Sequence, residues 1–295
     1  MRNLKLVIVG ASALLASTSL TSAADLIPAP TYEAPAEIEV SGMATGWYIR
    51  GDIGYTSNDH RGVHYLQGNS FSGSFESHDL DSNWMLQGGI GYQLTDYARV
   101  DLTLAHFTSA SFSGSSAQNA ACNGYTGNTC DYSDTAELES VNLIMANAYW
   151  DMGTFSGFTP YVGAGIGGAK VKWGTLMNDQ TCSAAGTANA GVTTPCNDND
   201  FKHPGQSSTR FAWQVHAGAS YDIRCDLKLD GGYTYTKING GKMFGEAYNA
   251  TTGAYAGGGI GYDNGLEMHT GRVGLRYQLG GCGHSPEPEI PVVYK

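Results

Sequence analysis

The sequence predicts an all-β protein, a transmembrane antiparallel up-and-down β-barrel of eight strands. Three observations carry the prediction. Apolar and polar residues alternate with a period of two in eight separate segments; short turns and long loops alternate between those segments; and 41 Gly, 18 Tyr and 5 Trp stand against only 9 Pro in 295 residues. Successive side chains of a strand point to opposite faces, so a period of two reports a sheet with one apolar and one polar side. Charged residues make up 15% of the chain and the net charge is −11, which argues against a nucleic-acid surface.

The chain opens with Arg2 and Lys5, an apolar run from Leu6 to Leu15, and small residues up to Ala23 and Ala24. This is the layout of a secretory signal peptide over residues 1–23, too short to serve as a spanning helix. Two cations and no acids leave with it, taking the expected charge of the exported chain to −13. Residues 24–45, with "DLIPAPTYEAPAEIEV" at 25–40, are too rich in Pro, Ala and Glu to pack and read as a flexible periplasmic leader. After this point no apolar run approaches the ~18 residues that a spanning helix needs, so any membrane crossing is made by strands. The barrel is expected over 46–279, followed by a periplasmic tail at 280–295.

"GWYIRGDIGY" begins the first strand (46–56): Trp47, Ile49, Ile53 and Tyr55 share one face, and Tyr48, Arg50, Asp52 and Gly54 the other. In the second (83–94), Trp84, Leu86, Ile90, Tyr92 and Leu94 oppose Gln87, Gly89, Gly91 and Gln93. A tight turn at Thr95 and Asp96 leads to the third (97–107), where Val100, Leu102 and Leu104 oppose Arg99, Asp101 and Thr103. The fourth (138–152) returns through a short "TFSGF" turn as the fifth, "TPYVGAGIGGAKV" (159–171). The sixth (210–222) sets Phe211, Trp213, Val215 and Tyr221 against Gln214, His216 and Ser220. The seventh is 226–237 and the eighth 268–279; an extra hairpin within 255–270 would make the count ten.

Segments 2–3, 4–5 and 6–7 are joined by a few residues, the other pairs by loops of roughly 25 to 40 rich in Gly, Ser, Asn and Asp. Tight periplasmic turns and elaborated external loops are the outer-membrane arrangement, and each apolar stripe covers the ~9 to 11 residues that a tilted strand needs to cross hydrocarbon. The place predicted is the outer membrane of a Gram-negative bacterium. Arg50, Asp52, Arg99, Asp101, Lys228, Asp230, Arg272 and Arg276 all fall on polar faces, and an eight-stranded barrel is just wide enough for such side chains to fill it as an ion-pair network. Trp47, Tyr92, Trp150 and Tyr277 near strand ends fit an interfacial aromatic girdle.

"GWYIRGDIGY" after an "AADL" cleavage region, the "NAYWDMG" and "PYVGAGIGGAKV" hairpin, and the closing "GRVGLRYQL" resemble the outer-membrane β-barrel proteins of alphaproteobacteria, the small surface proteins of Rhizobiales such as Brucella and Bartonella, more distantly related to OmpA-type barrels. The resemblance covers the strands, about half of the exported chain. It implies partners in outer-membrane lipid, lipopolysaccharide and the barrel assembly machinery, whose sorting signal is met by Arg272, Gly274, Tyr277 and Leu279. Many such barrels end on an aromatic residue; here "GGCGHSPEPEIPVVYK" follows, making the signal internal.

Six cysteines in an exported chain read as disulfides before metal ligands. Cys122 and Cys130 fall in the second external loop and Cys182 and Cys196 in the third; Cys225 and Cys282 are then left at the same barrel edge on adjacent strands. No CxxC spacing points to zinc. "GAGIGG" (163–168) has the dinucleotide-binding spacing but lies inside an alternating strand, where glycine instead makes room in a crowded lumen. Neither a G-x-S-x-G elbow nor H-E-x-x-H occurs, and His106, His216, Glu267 and His269 read as polar rim residues, so no catalysis, metal or cofactor is expected. One cofactor stays open: His60, His64 and His78 share the first loop with Tyr65, Phe71 and Phe75, the donor and stacking chemistry of a haem site, and some relatives in the family are haem-binding. The functional expectation is an envelope-structural protein with a surface-contact role; the alternatives are a receptor or adhesin binding haem or a host protein through its loops, and a narrow diffusion pore.

Overall fold

The structure, a computed structural model, describes residues 45–67, 71–116, 120–121, 125–126, 129–182, 187–188, 200–257 and 259–280. The expected signal peptide, nearly all of the leader, and the tail beyond residue 280 lie outside the described residues. Eight long strands form the frame: β1 (Gly46–His60), β2 (Asn83–Thr95), β3 (Ala98–Phe107), β4 (Thr129–Asp151), β5 (Phe158–Trp173), β6 (Ser207–Arg224), β7 (Leu227–Phe244) and β8 (Ile260–Gln278). Each pairs antiparallel with its neighbours in sequence, and β8 returns to pair with β1 from Tyr48↔Gln278 to His60↔Leu266. The ring is therefore closed with eight members. The segment weighed as an extra hairpin is instead the short strand Tyr255–Gly257 and the upper half of β8, so the ten-strand alternative falls.

Straight across the ladder, Arg50 leads through Gly89, Thr103, Met145, Gly167, Ala212, Ile238 and Leu266 back to β1 at His60, a stagger of ten residues between 50 and 60. With eight strands about 4.8 Å apart and ~3.3 Å per residue, that stagger tilts the strands by about 40°. From Trp47 to Tyr55 the apolar outer face of β1 then rises about 20 Å along the barrel axis, of the order of the apolar band of such barrels.

Burial is inverted relative to a soluble sandwich. Leu86, Leu104 and Ile166 are 67%, 63% and 63% exposed, while Arg50, Asp52, Arg99 and Asp230 are buried. Aromatic rings bound the apolar band at both ends. At the short-turn end Trp47 packs on Tyr92 (5.3 Å between centroids) and Phe158 on Tyr221 (4.7 Å), with Trp150 and Tyr277 exposed beside them. At the opposite end Tyr55 packs on Trp84 (5.1 Å) and Trp213 on Tyr235 (5.4 Å). The β4–β5 turn shows how tight the first end is. Phe155 and Phe158 exchange both backbone hydrogen bonds, and Ser156 (φ 51°) and Gly157 (φ 84°) take the left-handed conformations of a type I′ hairpin.

The long connections continue the sheet above the band. Val63–Gln67 pairs with the upper end of β8; Ser77–Leu80 pairs with Ala110–Ser115, which pairs with the upper part of β4; Leu176–Cys182 and Asp200–His203 extend the ladder on the other side of β4. This crown has its own core, with Val63, Phe75, Leu80, Phe112, Leu138, Trp173, Leu176, Met243 and Phe244 buried together. Cys130 and Cys182, assigned to separate loops, stand opposite one another in strand register because the third loop carries the β5 ladder on upward along the start of β4. Cys225, in the β6–β7 turn, is disulfide-bonded. Cys122, Cys196 and Cys282 lie outside the described residues.

Candidate functional site

The interior is divided into two layers. Toward the short turns, four arginines and four aspartates interlock. Arg50 donates to both carboxylate oxygens of Asp52 (2.9 and 2.7 Å), to Asp101 (3.0 Å) and to the Tyr149 hydroxyl (3.3 Å). Arg272 donates to Asp52 (2.8 Å), the Tyr161 hydroxyl (3.1 Å) and Thr234 (3.1 Å). Arg276 pairs with Asp230 (3.2 Å) and donates to Ser220 (2.8 Å). Arg99 lies between the faces of Tyr149 and Tyr161, 4.5 and 4.6 Å from their centroids, with Asp151 at 3.3 Å and Asp230 at 3.9 Å. A guanidinium between two electron-rich rings and two carboxylates is held by charge on every side. Four positive and four negative groups cancel, as a desolvated network requires.

Seven of the eight charged residues singled out in the sequence meet in this layer. Lys228 does not: it pairs with Asp222 beside the β6–β7 turn, half-buried and apart from the others. Sequence reasoning set Tyr48 on the polar face but passed over Asp151, Tyr149, Tyr161 and Asn147, although Asn147, Tyr149 and Asp151 alternate within "NAYWD" on the face that the other acids predict. His216 is corrected from the rim to the lumen, buried between Thr234 (2.9 Å) and Asn147 (3.4 Å). The glycines of "GAGIGG" have a spatial explanation. A methyl group on Gly163 would lie 2.5 Å from the Tyr149 ring, on Gly165 1.9 Å from Asn147 Oδ1, and on Gly167 2.8 Å from Met145 Sδ. β5 is stripped of side chains so that β4 can fill the tube.

The upper layer is apolar. Met85, Phe107, Val141, Leu143, Met145, Val171, Ile238, Leu266 and Met268 close the lumen with no more than 3% exposure each. Above it Arg210 pairs with Asp263 (2.6 Å), whose other oxygen accepts from Trp173 Nε1 (3.0 Å). Charged residues were expected to fill the tube; the apolar layer was missed because "LIMA" (143–146) on β4 is apolar on both faces, one for lipid and one for the interior.

The three loop histidines do not line one pocket. His60 and His78 pack against each other (5.6 Å between centroids) in the crown core beside Phe112 and Trp173. Burial, with His78 and Arg210 nearby, pushes His60 down to about 3. His64 instead stacks on Tyr262 (5.5 Å) and bonds Asn264 (2.7 Å) at the exposed side. Elsewhere in the crown, burial raises the Asp134 carboxyl, opposed by hydrogen bonds from Asn178 and the Ser116 amide (2.6 Å each). His106 and His269 do face outward at the rim.

An apolar outside, aromatic girdles and a paired, desolvated interior define an integral β-barrel of the Gram-negative outer membrane. The chain belongs to the family whose model is described as outer membrane protein beta-barrel domain, which matches residues 11–277. It is 36% identical over 292 residues to an uncharacterized protein of Brucella abortus, covering 90% of this chain and 95% of that one. It is 32% identical over 99 residues to the outer membrane protein PagN of Salmonella typhimurium, covering 34% of each. Among solved structures, the outer membrane protein OprG of Pseudomonas aeruginosa aligns with 14% identity and a TM-score of 0.42, over 81% of this chain and 100% of that one.

Proposed function

We propose that the protein is an anchored surface structure: the barrel holds a rigid crown at the outer face of the envelope, and the crown makes contact with the cell's surroundings. The observation that carries this reading is the distribution of packing. The lumen is closed twice, by the paired charges and by the apolar layer, while the sheet continues above the membrane around a separate core centred on Phe112 and Trp173. A transport pore needs a wet, continuous lumen, and side chains packed to a few per cent exposure in both layers speak against one. A surface-contact protein needs a stiff platform, which an apolar-cored extension of a closed barrel supplies.

The test is a set of intact cells displaying either the full chain or versions with the crown segments shortened one at a time, for example residues 63–80 or 176–203 replaced by short turns. Heat-modifiable gel mobility verifies that each barrel is folded. Loss of binding to host surfaces or matrix with the barrel intact supports the reading. Steady single channels of the full chain in planar bilayers would overturn it.

A further inference from the structure

The second and third external loops meet along one strand. β4 pairs with β5 from Asp151↔Tyr161 up to Leu138↔Trp173, and higher up it pairs with the continuation of the same chain from Thr135↔Met177 to Cys130↔Cys182. Cys130 and Cys182 thus stand at the upper end of one long hairpin. The same two loops pair a second time, Thr126 with Thr187 and Tyr125 with Ala188. On its other edge Cys130 faces Ala120, so its register partner within its own loop is not a cysteine. Cys225 is disulfide-bonded at the short-turn end, where the Gln278 amide donates to the Asp226 carbonyl (2.8 Å), and takes no part in the crown.

Backbone spacing then decides which bond can form. Residues directly opposed in an antiparallel pair project to the same face, with Cα atoms about 5.5 Å apart where the pair is hydrogen-bonded and about 4.5 Å where it is not. A disulfide needs about 4.4–6.8 Å. Both kinds of pair meet that requirement with no movement of the backbone, whereas a diagonal partner, about 7–8 Å away, does not.

We propose that a disulfide joins Cys130 to Cys182 and makes the second and third loops one covalent unit. One cysteine thiolate attacks the disulfide of a periplasmic dithiol oxidant and releases its first thiol; the other attacks the resulting mixed disulfide and releases the second. Two protons and two electrons pass to the oxidant. The ring so closed runs down β4, through the β4–β5 turn and back up β5, so the bond fastens the open end of a hairpin whose other end is already a tight turn. Beside it, Asp131 and Thr181 stand opposite one another and line a polar cleft of about 450 Å³ with Ser77, Ser115, Tyr132 and Ser133. Ser77 comes from the first loop, Ser115 from the second and Thr181 from the third. The bond keeps the third against the others.

The experiment uses the full chain, made in the outer membrane of a Gram-negative host and treated with N-ethylmaleimide before extraction so that any free thiol is blocked. After denaturation without reductant, trypsin releases residues 100–170, which carry Cys122 and Cys130, and residues 173–202, which carry Cys182 and Cys196. Bonds confined to each loop leave these peptides separate. The proposed bond holds them together until reductant is added, and further cleavage after Tyr125 and Val192 yields the Cys130 fragment joined to the Cys182 fragment in the mass spectrum. A link from Cys130 to Cys122 or Cys196, or Cys130 recovered as the blocked thiol, overturns the proposal. Cys130→Ala with Cys182→Ala should keep heat-modifiable mobility while external protease cuts the crown about tenfold faster. Unchanged cutting overturns the claim that the bond holds the cleft together.

Discussion

Asp52 is the acceptor on which two arginines converge, so Asp52→Asn is the sharpest perturbation of the lumen. The change keeps the shape but leaves four arginines facing three carboxylates, and it turns two of the shortest hydrogen bonds, from Arg50 (2.7 Å) and Arg272 (2.8 Å), into contacts with an uncharged amide. Removing one partner of a buried ion pair costs about 3–5 kcal/mol, because the remaining charge is left desolvated. With a urea dependence of about 2 kcal/mol per molar, the unfolding midpoint of the barrel in vesicles should fall by about 2 M. A second substitution distinguishes charge imbalance from simple loss of packing. Asp52→Asn with Arg272→Met restores neutrality and keeps the Arg50–Asp101 pair at 3.0 Å, so the double variant should recover about 1–3 kcal/mol relative to additive behaviour. The assay is urea titration followed by intrinsic tryptophan fluorescence, with heat-modifiable mobility as a second probe. A midpoint shift for Asp52→Asn below about 0.5 M, the scale of an exposed pair, would refute the claim that this lumen is dry and balanced.

Gly165→Val should prevent assembly, since its Cβ would meet Asn147 Oδ1 at 1.9 Å, whereas Gly168→Ala on the outward face of the same strand, with 3.8 Å of clearance, should assemble normally; gel mobility separates the two. His60 makes the crown sensitive to acid. Its folded pKa, near 3, lies below the unfolded 6.5, so the unfolded state binds more protons and stability falls as pH drops from 6.5 toward 3, by about 3 kcal/mol at pH 4. Protease resistance of the crown should decline over that window and the decline should flatten in His60→Phe; an identical profile in both would assign the effect elsewhere. Leu143→Ser, Met145→Ser and Met268→Ser together should wet the upper lumen and lower the urea midpoint while bilayer conductance stays at that of the parent, because the paired charges below still close the tube; a rise in conductance would mean that the apolar layer is the seal and the charges are not.

The strands were readable because lipid and lumen impose opposite demands on alternate residues: β1, β2, β3 and β6 present the faces that the alternation assigns. Strand ends were less so. β4 begins at Thr129 and not near 138, and β8 at Ile260 and not 268, because above the membrane the pattern is set by the crown core and no longer by hydrocarbon. The same switch hides the apolar layer, where Leu143 and Met145 carry no sign that they face inward. Lys228 was grouped with the network on face alone; its height, one step from the turn, decides otherwise. His60 and His78 pack together, while His64 is turned away to Tyr262 by its own strand, a difference that membership of one loop does not reveal. Register between distant strands, as with Cys130 opposite Cys182, is invisible to any local pattern.

The pairing of β1 with β8 has a temporal consequence. The first hydrogen-bonded strand must wait for the last, over two hundred residues downstream, and the salt link between Asp52 and Arg272 crosses that same seam. Until the carboxyl-terminal strand arrives, two raw strand margins stay open and Asp52 has only the arginine of its own strand. Closure of the ring is therefore a late event in the life of the chain, and a copy truncated before Leu266 leaves the first strand with nothing to fasten to.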